Sequence, residues 1–180
     1  MQATVLHAVC ALSLFLSMAS AREGFISQPV PLANGSIGTA YFRNSTSPSP
    51  KFLHSARNTQ AIIQFTPGTQ LTYKCHLSSI YTQPCGPPLS DCSALGAALH
   101  ATPGFWKVKR WMERQFEELA SYGSCRFYVA RARSINSSTI GNGDVYTALT
   151  ASVGDYTTGR STGAGGMLLC DNVNEIDFGI

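Results

Sequence analysis

The chain is poor in charge and in the side chains that usually carry chemistry. Charged residues make up 13% of its 180 residues and the net charge is +3, too small a balance to imply a nucleic-acid partner. It has four histidines and no Cys-x-x-Cys. His54, His76 and His100 are scattered, so no zinc site is expected. No GxxxxGK[ST] loop occurs, and Gly163-Ala-Gly-Gly166 opens a strand rather than a helix. The carboxylates Asp91, Asp144, Asp155, Asp171, Glu175 and Asp177 show no spacing that singles out a pair for acid–base work. Gly159-Arg-Ser-Thr-Gly163 fits G-x-S-x-G. Yet a helical pattern precedes it, a strand follows, and no histidine lies beyond His100, the reverse of a nucleophile elbow. The expectation is no catalytic residue, no metal and no cofactor.

Long apolar runs are also missing. Val5 to Ser17 is apolar but too short to span a bilayer. It ends in Ala19-Ser20-Ala21, a small-x-small cleavage signature, so residues 1–21 are expected to be a signal peptide and the product to be secreted and extracellular. Cys10 leaves with that leader. In an oxidising compartment Cys75, Cys85, Cys92, Cys125 and Cys170 read as a disulfide framework with one cysteine left as a thiol or paired between molecules, in a connectivity that spacing does not give. Asn34, Asn44 and Asn136 head N-x-[ST] sequons, each a glycosylation candidate.

Residues 22–70 are rich in Ser, Thr, Asn, Pro and Gly, with Ser47-Pro-Ser-Pro50 at the centre and no cysteine. They are expected to form a low-complexity, loosely ordered arm with one short strand at Ala61–Phe65. The compact domain is placed at 71–180. Its organising stretch is Ile140-Gly-Asn-Gly-Asp144 and the helix that follows. Asn142 is expected as N-cap, with Asp144 at the positive end of the dipole. Val145, Ala148, Leu149, Ser152, Val153 and Tyr156 fall on one face. A first helix starts at a Ser90 N-cap and buries Cys92, Leu95, Ala98 and Leu99. Strands are expected at 71–77, 105–109, 125–132, 165–170 and 174–180. Met112 to Tyr122 is read as a helical turn or two, from the spacing of Val108, Trp111, Met112, Phe116 and Leu119, with a single long helix over 105–122 as the alternative. The order suits an α+β two-layer sandwich: a mainly antiparallel sheet, two helices on one face, stapled by disulfides.

Seven of the thirteen basic residues lie between Lys107 and Arg133, interleaved with aromatics. Trp106, Lys107, Lys109, Arg110, Arg126 and Tyr128 are therefore candidates for a binding patch; the competing reading is a solvated hairpin face paired with nearby glutamates.

In order, Cys75, Ser90-Asp-Cys92, Trp106, Tyr122-Gly-Ser-Cys125-Arg-Phe127, Ile140-Gly-Asn-Gly-Asp144-Val and Gly163-Ala-Gly-Gly166 through Cys170 resemble the fungal necrosis-inducing effectors, homologues of the extracellular protein-two effector of a leaf-mould fungus. The resemblance covers about 71–180. It implies a secreted, toxin-like protein acting on host or competitor cells, similar in fold to the viral killer toxins of smut fungi. It implies Cys75, Cys92, Cys125 and Cys170 as the structural four, with Cys85 the departure. No catalytic residue carries over. The partner expected is a membrane protein or glycan of the target cell, bound by a monomer and not by catalysis. The alternatives are a cell-wall or glycan-binding module, since such domains accompany chitin-acting enzymes in the family, and a small hydrolase or nuclease.

Overall fold

The computed structural model describes residues 22–32, 35–44, 61–82, 86–109, 116–131, 137–155, 157–158, 161–171 and 174–180. The expected signal peptide lies outside them. In chain order the elements are β1 (Phe25–Pro31), β2 (Ile37–Arg43), β3 (Ile62–Pro67), β4 (Cys75–Thr82), α1 (Leu89–Ala101), β5 (Gly104–Lys109), β6 (Glu117–Tyr122), β7 (Cys125–Arg131), β8 (Ser137–Gly141), α2 (Asn142–Asp155), β9 (Thr157–Thr158), β10 (Ser161–Thr162), β11 (Ala164–Cys170) and β12 (Asn174–Gly179).

One layer is a seven-stranded sheet in the order β1-β2-β6-β7-β12-β11-β4, antiparallel at every pairing. Its strands follow the period of two that a half-buried sheet requires. On β7, Cys125, Phe127 and Val129 are buried while Arg126 is exposed; on β12, Ile176 and Phe178 point inward, and Phe127 stacks on Phe178 with centroids 5.4 Å apart. Helix α1 packs on the inner face against β1, β6 and β7, and α2 lies beside it against β4, β5 and β8. The expected α1 face, Cys92, Leu95, Ala98 and Leu99, is buried, as are Val145, Ala148, Leu149 and Ser152 on α2; Val153 is partly buried and Tyr156 lies outside the described residues. This is the expected disulfide-stapled α+β sandwich. Among the described residues no helix is long and apolar enough to cross a membrane.

A three-stranded sheet, β3-β5-β8, completes the second layer. It closes on β2 through an aromatic knot. Phe65 lies 4.9 Å from Trp106 and 5.6 Å from Phe42, centroid to centroid, and the Trp106 indole N–H donates to the Arg43 carbonyl at 3.0 Å. Each such ring pair adds about 0.5–1.5 kcal/mol beyond area burial.

Several expectations are corrected here. Segment 22–70 is not only a loose arm, for β1, β2 and β3 belong to the two sheets, with Val30, Ala40, Phe42 and Ile63 in the core. Its Pro29 and Pro31 fall on β1, at the end of the sheet order, where a missing N–H is tolerated. The stretch read as helical up to Tyr122 is strand β6 from Glu117 onward. A register shift between Glu118 and Ala120 buries Leu119 and Ala120 together and so masks the strand period. Strand β4 begins at Cys75 rather than residue 71, and β8 was not anticipated. The N-cap of α1 is Pro88, without a side-chain cap bond; Ser90 sits inside the first turn.

Candidate functional site

The Ile140-Gly-Asn-Gly-Asp144 stretch is a buried polar hub. Asn142 does not cap its own helix as expected. It is wholly buried, and its Oδ1 accepts from the N–H of Thr72 at 3.2 Å and of Gly104 at 3.0 Å. Its Nδ2 donates to the carbonyls of Leu99 at 2.7 Å and Thr102 at 2.9 Å. Two acceptor and two donor positions are all the group has, so one side chain closes the end of α1, starts β5 and anchors the loop before β4. Asp144 accepts from Gly141 N–H at 2.8 Å and from Lys74 N–H at 2.9 Å. Burial raises its pKa, and the main-chain donors of Lys74, Gly141 and Cys75 oppose that shift. The glycines make the approach possible: Gly143 N–H donates to the Thr72 carbonyl at 3.0 Å, and a Cβ on Gly141 would collide with that same oxygen. These polar groups are committed to the main chain.

The cysteines form a second set of ties. Cys75 pairs with Cys170 across neighbouring strands β4 and β11, and Cys92 of α1 pairs with Cys125 of β7. Cys85 lies outside the described residues, as do the sequon residues Asn34 and Asn136. Asn44 is exposed, and its Oδ1 accepts from Phe65 N–H at 3.2 Å.

The expected patch is not one surface. Trp106 is wholly buried in the aromatic knot and is corrected from a binding residue to a core residue. Lys107 and Lys109 alternate with it and are exposed on the small sheet. Arg126 and Tyr128 alternate with the buried residues of β7, so they lie on the outer face of the large sheet, on the other side of the sandwich. Arg110 is outside the described residues.

The outer face carries its own network. Glu118, 8% exposed, takes both terminal nitrogens of Arg22, one of them at 2.9 Å. It also accepts from Arg126 at 3.5 Å. The Arg22 guanidinium also bonds the Ser121 hydroxyl at 3.0 Å and lies 4.1 Å above the Phe25 ring. Arg126 is in turn hydrogen-bonded to Tyr128, which raises its pKa. Beside this network a cross-strand row reads Glu118, Tyr128, Gly179, Gly165, Tyr81. The Tyr81 ring lies across Gly165, where a Cβ would strike it, and is 53% exposed. A trough of about 360 Å³ opens over Gly179 between Phe116, Tyr128 and Ile180. Sequence reasoning missed Tyr81, Phe116, Glu118 and Arg22. The Gly163–Gly166 run was a signal for close approach, but the ring that makes the approach is in register only once β4 is placed. A separate groove of about 590 Å³ runs between the helices, lined by Gly96, Ala97, His100, Tyr146 and Thr150.

The family model for Hce2, described as "Pathogen effector; putative necrosis-inducing factor", matches residues 74–170, over half of the chain. The chain belongs to the Hce2 effector family. The Hce2 match begins at Lys74, whose N–H is held by Asp144, and ends at Cys170, the partner of Cys75; both disulfides and all of the Asn142 hub but Thr72 fall within it. Strands β1–β3 precede it and β12 follows it. No curated protein matches the chain.

Proposed function

We propose that this Hce2 protein is a secreted effector of toxin-like action, promoting death of a host or competitor cell by binding a target at its surface rather than by catalysis. Export is supported by the leader pattern at 1–21 and by two disulfides, which persist in oxidising compartments. Binding is supported by one observation above all: Asn142 and Asp144, the polar residues that open α2, are bonded to main-chain partners inside the molecule. Both side chains are buried and turned to the main chain, so neither faces an incoming substrate. Function then falls to exposed surfaces. The test applies purified secreted protein to plant and fungal cells beside the heat-denatured, reduced protein. Death of one cell type with the native protein alone supports the reading. Inactivity on both, from protein shown to be folded and oxidised, contradicts it.

A further inference from the structure

The outer face of the large sheet, opposite the helices, carries the clearest unassigned surface. Three features coincide there. First, the outer end of the Tyr81 ring lies over Gly165, where a Cβ would strike it, and the residue stays half exposed. Second, Gly165 pairs with Gly179, and Gly179 with Tyr128, so two residues without side chains separate the two tyrosines. At the usual strand spacing the tyrosines stand about 14 Å apart across this floor. Phe116, 57% exposed, walls the Gly179 end beside Tyr128. Third, Arg126, which reaches Glu118 at 3.5 Å, shares the outer face with Tyr128 two residues along β7.

We infer that this tyrosine–glycine floor is a binding site for a neutral polysaccharide chain, a few sugar units lying across strands β4, β11, β12 and β7. The inference rests on the reading of the protein as a surface-binding effector and names the chemistry of its partner. A pyranose offers a flat face of weakly positive C–H groups, and an aromatic face is the negative side of a quadrupole. Flat rings beside bare backbone let such a face lie down without a clash, and the equatorial hydroxyls then reach polar groups at the margins. Charge selects among polymers. Arg22 and Arg126 already share the Glu118 carboxylate, and the half-exposed Asp177 carboxylate lies on the same outer face, two residues from Gly179 on β12. Asp177 would repel a polyanion at this end of the floor, whereas sugar hydroxyls would donate to it.

The test is depletion of the full secreted protein by insoluble chitin, cellulose and β-1,3-glucan, which also separates the sources of such a chain. The wild type is expected to be retained by at least one. Tyr81→Ala and Tyr128→Ala should each weaken retention about tenfold or more, with unchanged thermal midpoints, while Tyr81→Phe retains it. Should either alanine variant fold poorly, Phe116→Ser removes the exposed wall alone and should weaken retention too. A wild type depleted by none of the three overturns the inference, as does retention unchanged in folded Tyr81→Ala and Phe116→Ser. Binding of that same wild type to wall-free protoplasts would then leave the effector reading standing; its failure there as well would sink both.

Discussion

The Asp91 carboxylate accepts both the backbone N–H of Ser124, at 2.8 Å, and its hydroxyl, at 2.7 Å. The next residue of each pair is a half-cystine, Cys92 and Cys125. A first-turn acid on α1 thus grips the β6–β7 turn one residue from the covalent bond between the same two elements. Gly123 completes the clamp: its φ is +54°, and a Cβ would strike the Asp91 carboxylate. Replacing Asp91 by Ala is expected to cost about 1 kcal/mol, since the contact is exposed. Gly123→Ala should cost more, about 1–2 kcal/mol from the left-handed backbone alone. Urea unfolding of the two variants checks the order.

Asn142→Ala would leave two N–H groups and two carbonyls without their partner. The expected loss is about 3–5 kcal/mol, the range for breaking a buried network. Asn142→Asp should be nearly as damaging, because it turns a donor into an acceptor facing the Leu99 and Thr102 carbonyls. Calorimetric midpoints of the three proteins decide this. A difference within 1 kcal/mol of wild type would contradict the hub.

The two disulfides should differ in weight. Chain-entropy reasoning gives about 4–5 kcal/mol for a closure of 95 residues and about 3–4 kcal/mol for one of 33. The Cys75→Ala/Cys170→Ala double variant is therefore expected to be the less stable of the two double variants. Denaturation midpoints at one protein concentration, in oxidised samples, supply the comparison.

Stability should fall as pH rises above the ordinary carboxylate range. Burial raises the pKa of Glu117, against an opposing pull from Arg43, and burial likewise raises that of Asp144. A raised carboxylate binds more protons folded than unfolded. Its contribution is fully present below the unfolded values, 4.5 and 3.8, and is lost as pH climbs through the folded values. Glu117→Gln should flatten that slope. Urea midpoints measured from pH 4 to pH 7 read it directly; an equal slope in the variant would remove Glu117 from the account.

Much of the second half of the fold was legible because its elements keep clean periods. Both buried helical faces and the alternation on β7 and β12 could be read one residue at a time. The N-terminal strands were hidden by composition. Serine, threonine and proline mark loose chain on average, but proline on a terminal strand costs little and Ala40 and Phe42 alone bring β2 into the core. Strand β6 was hidden by a bulge that lets Phe116 and Leu119 imitate a helix. Asn142 was singled out as important for the wrong reason: its chemistry is that of a cap, while its partners Thr72, Leu99, Thr102 and Gly104 are distant in sequence, and no local pattern announces them. The basic residues that flank Trp106 point to a surface, though strand alternation already sends Lys107 and Trp106 to opposite sides.

On the reading proposed above, this effector works by occupying a target and not by turning over a substrate. Labelled protein titrated onto responsive cells, with bound protein and cell death scored in the same wells, tests it most directly. Death is expected to rise in step with occupancy and to saturate where binding saturates. Death at doses that leave nearly all sites empty, growing with exposure time alone, would contradict it.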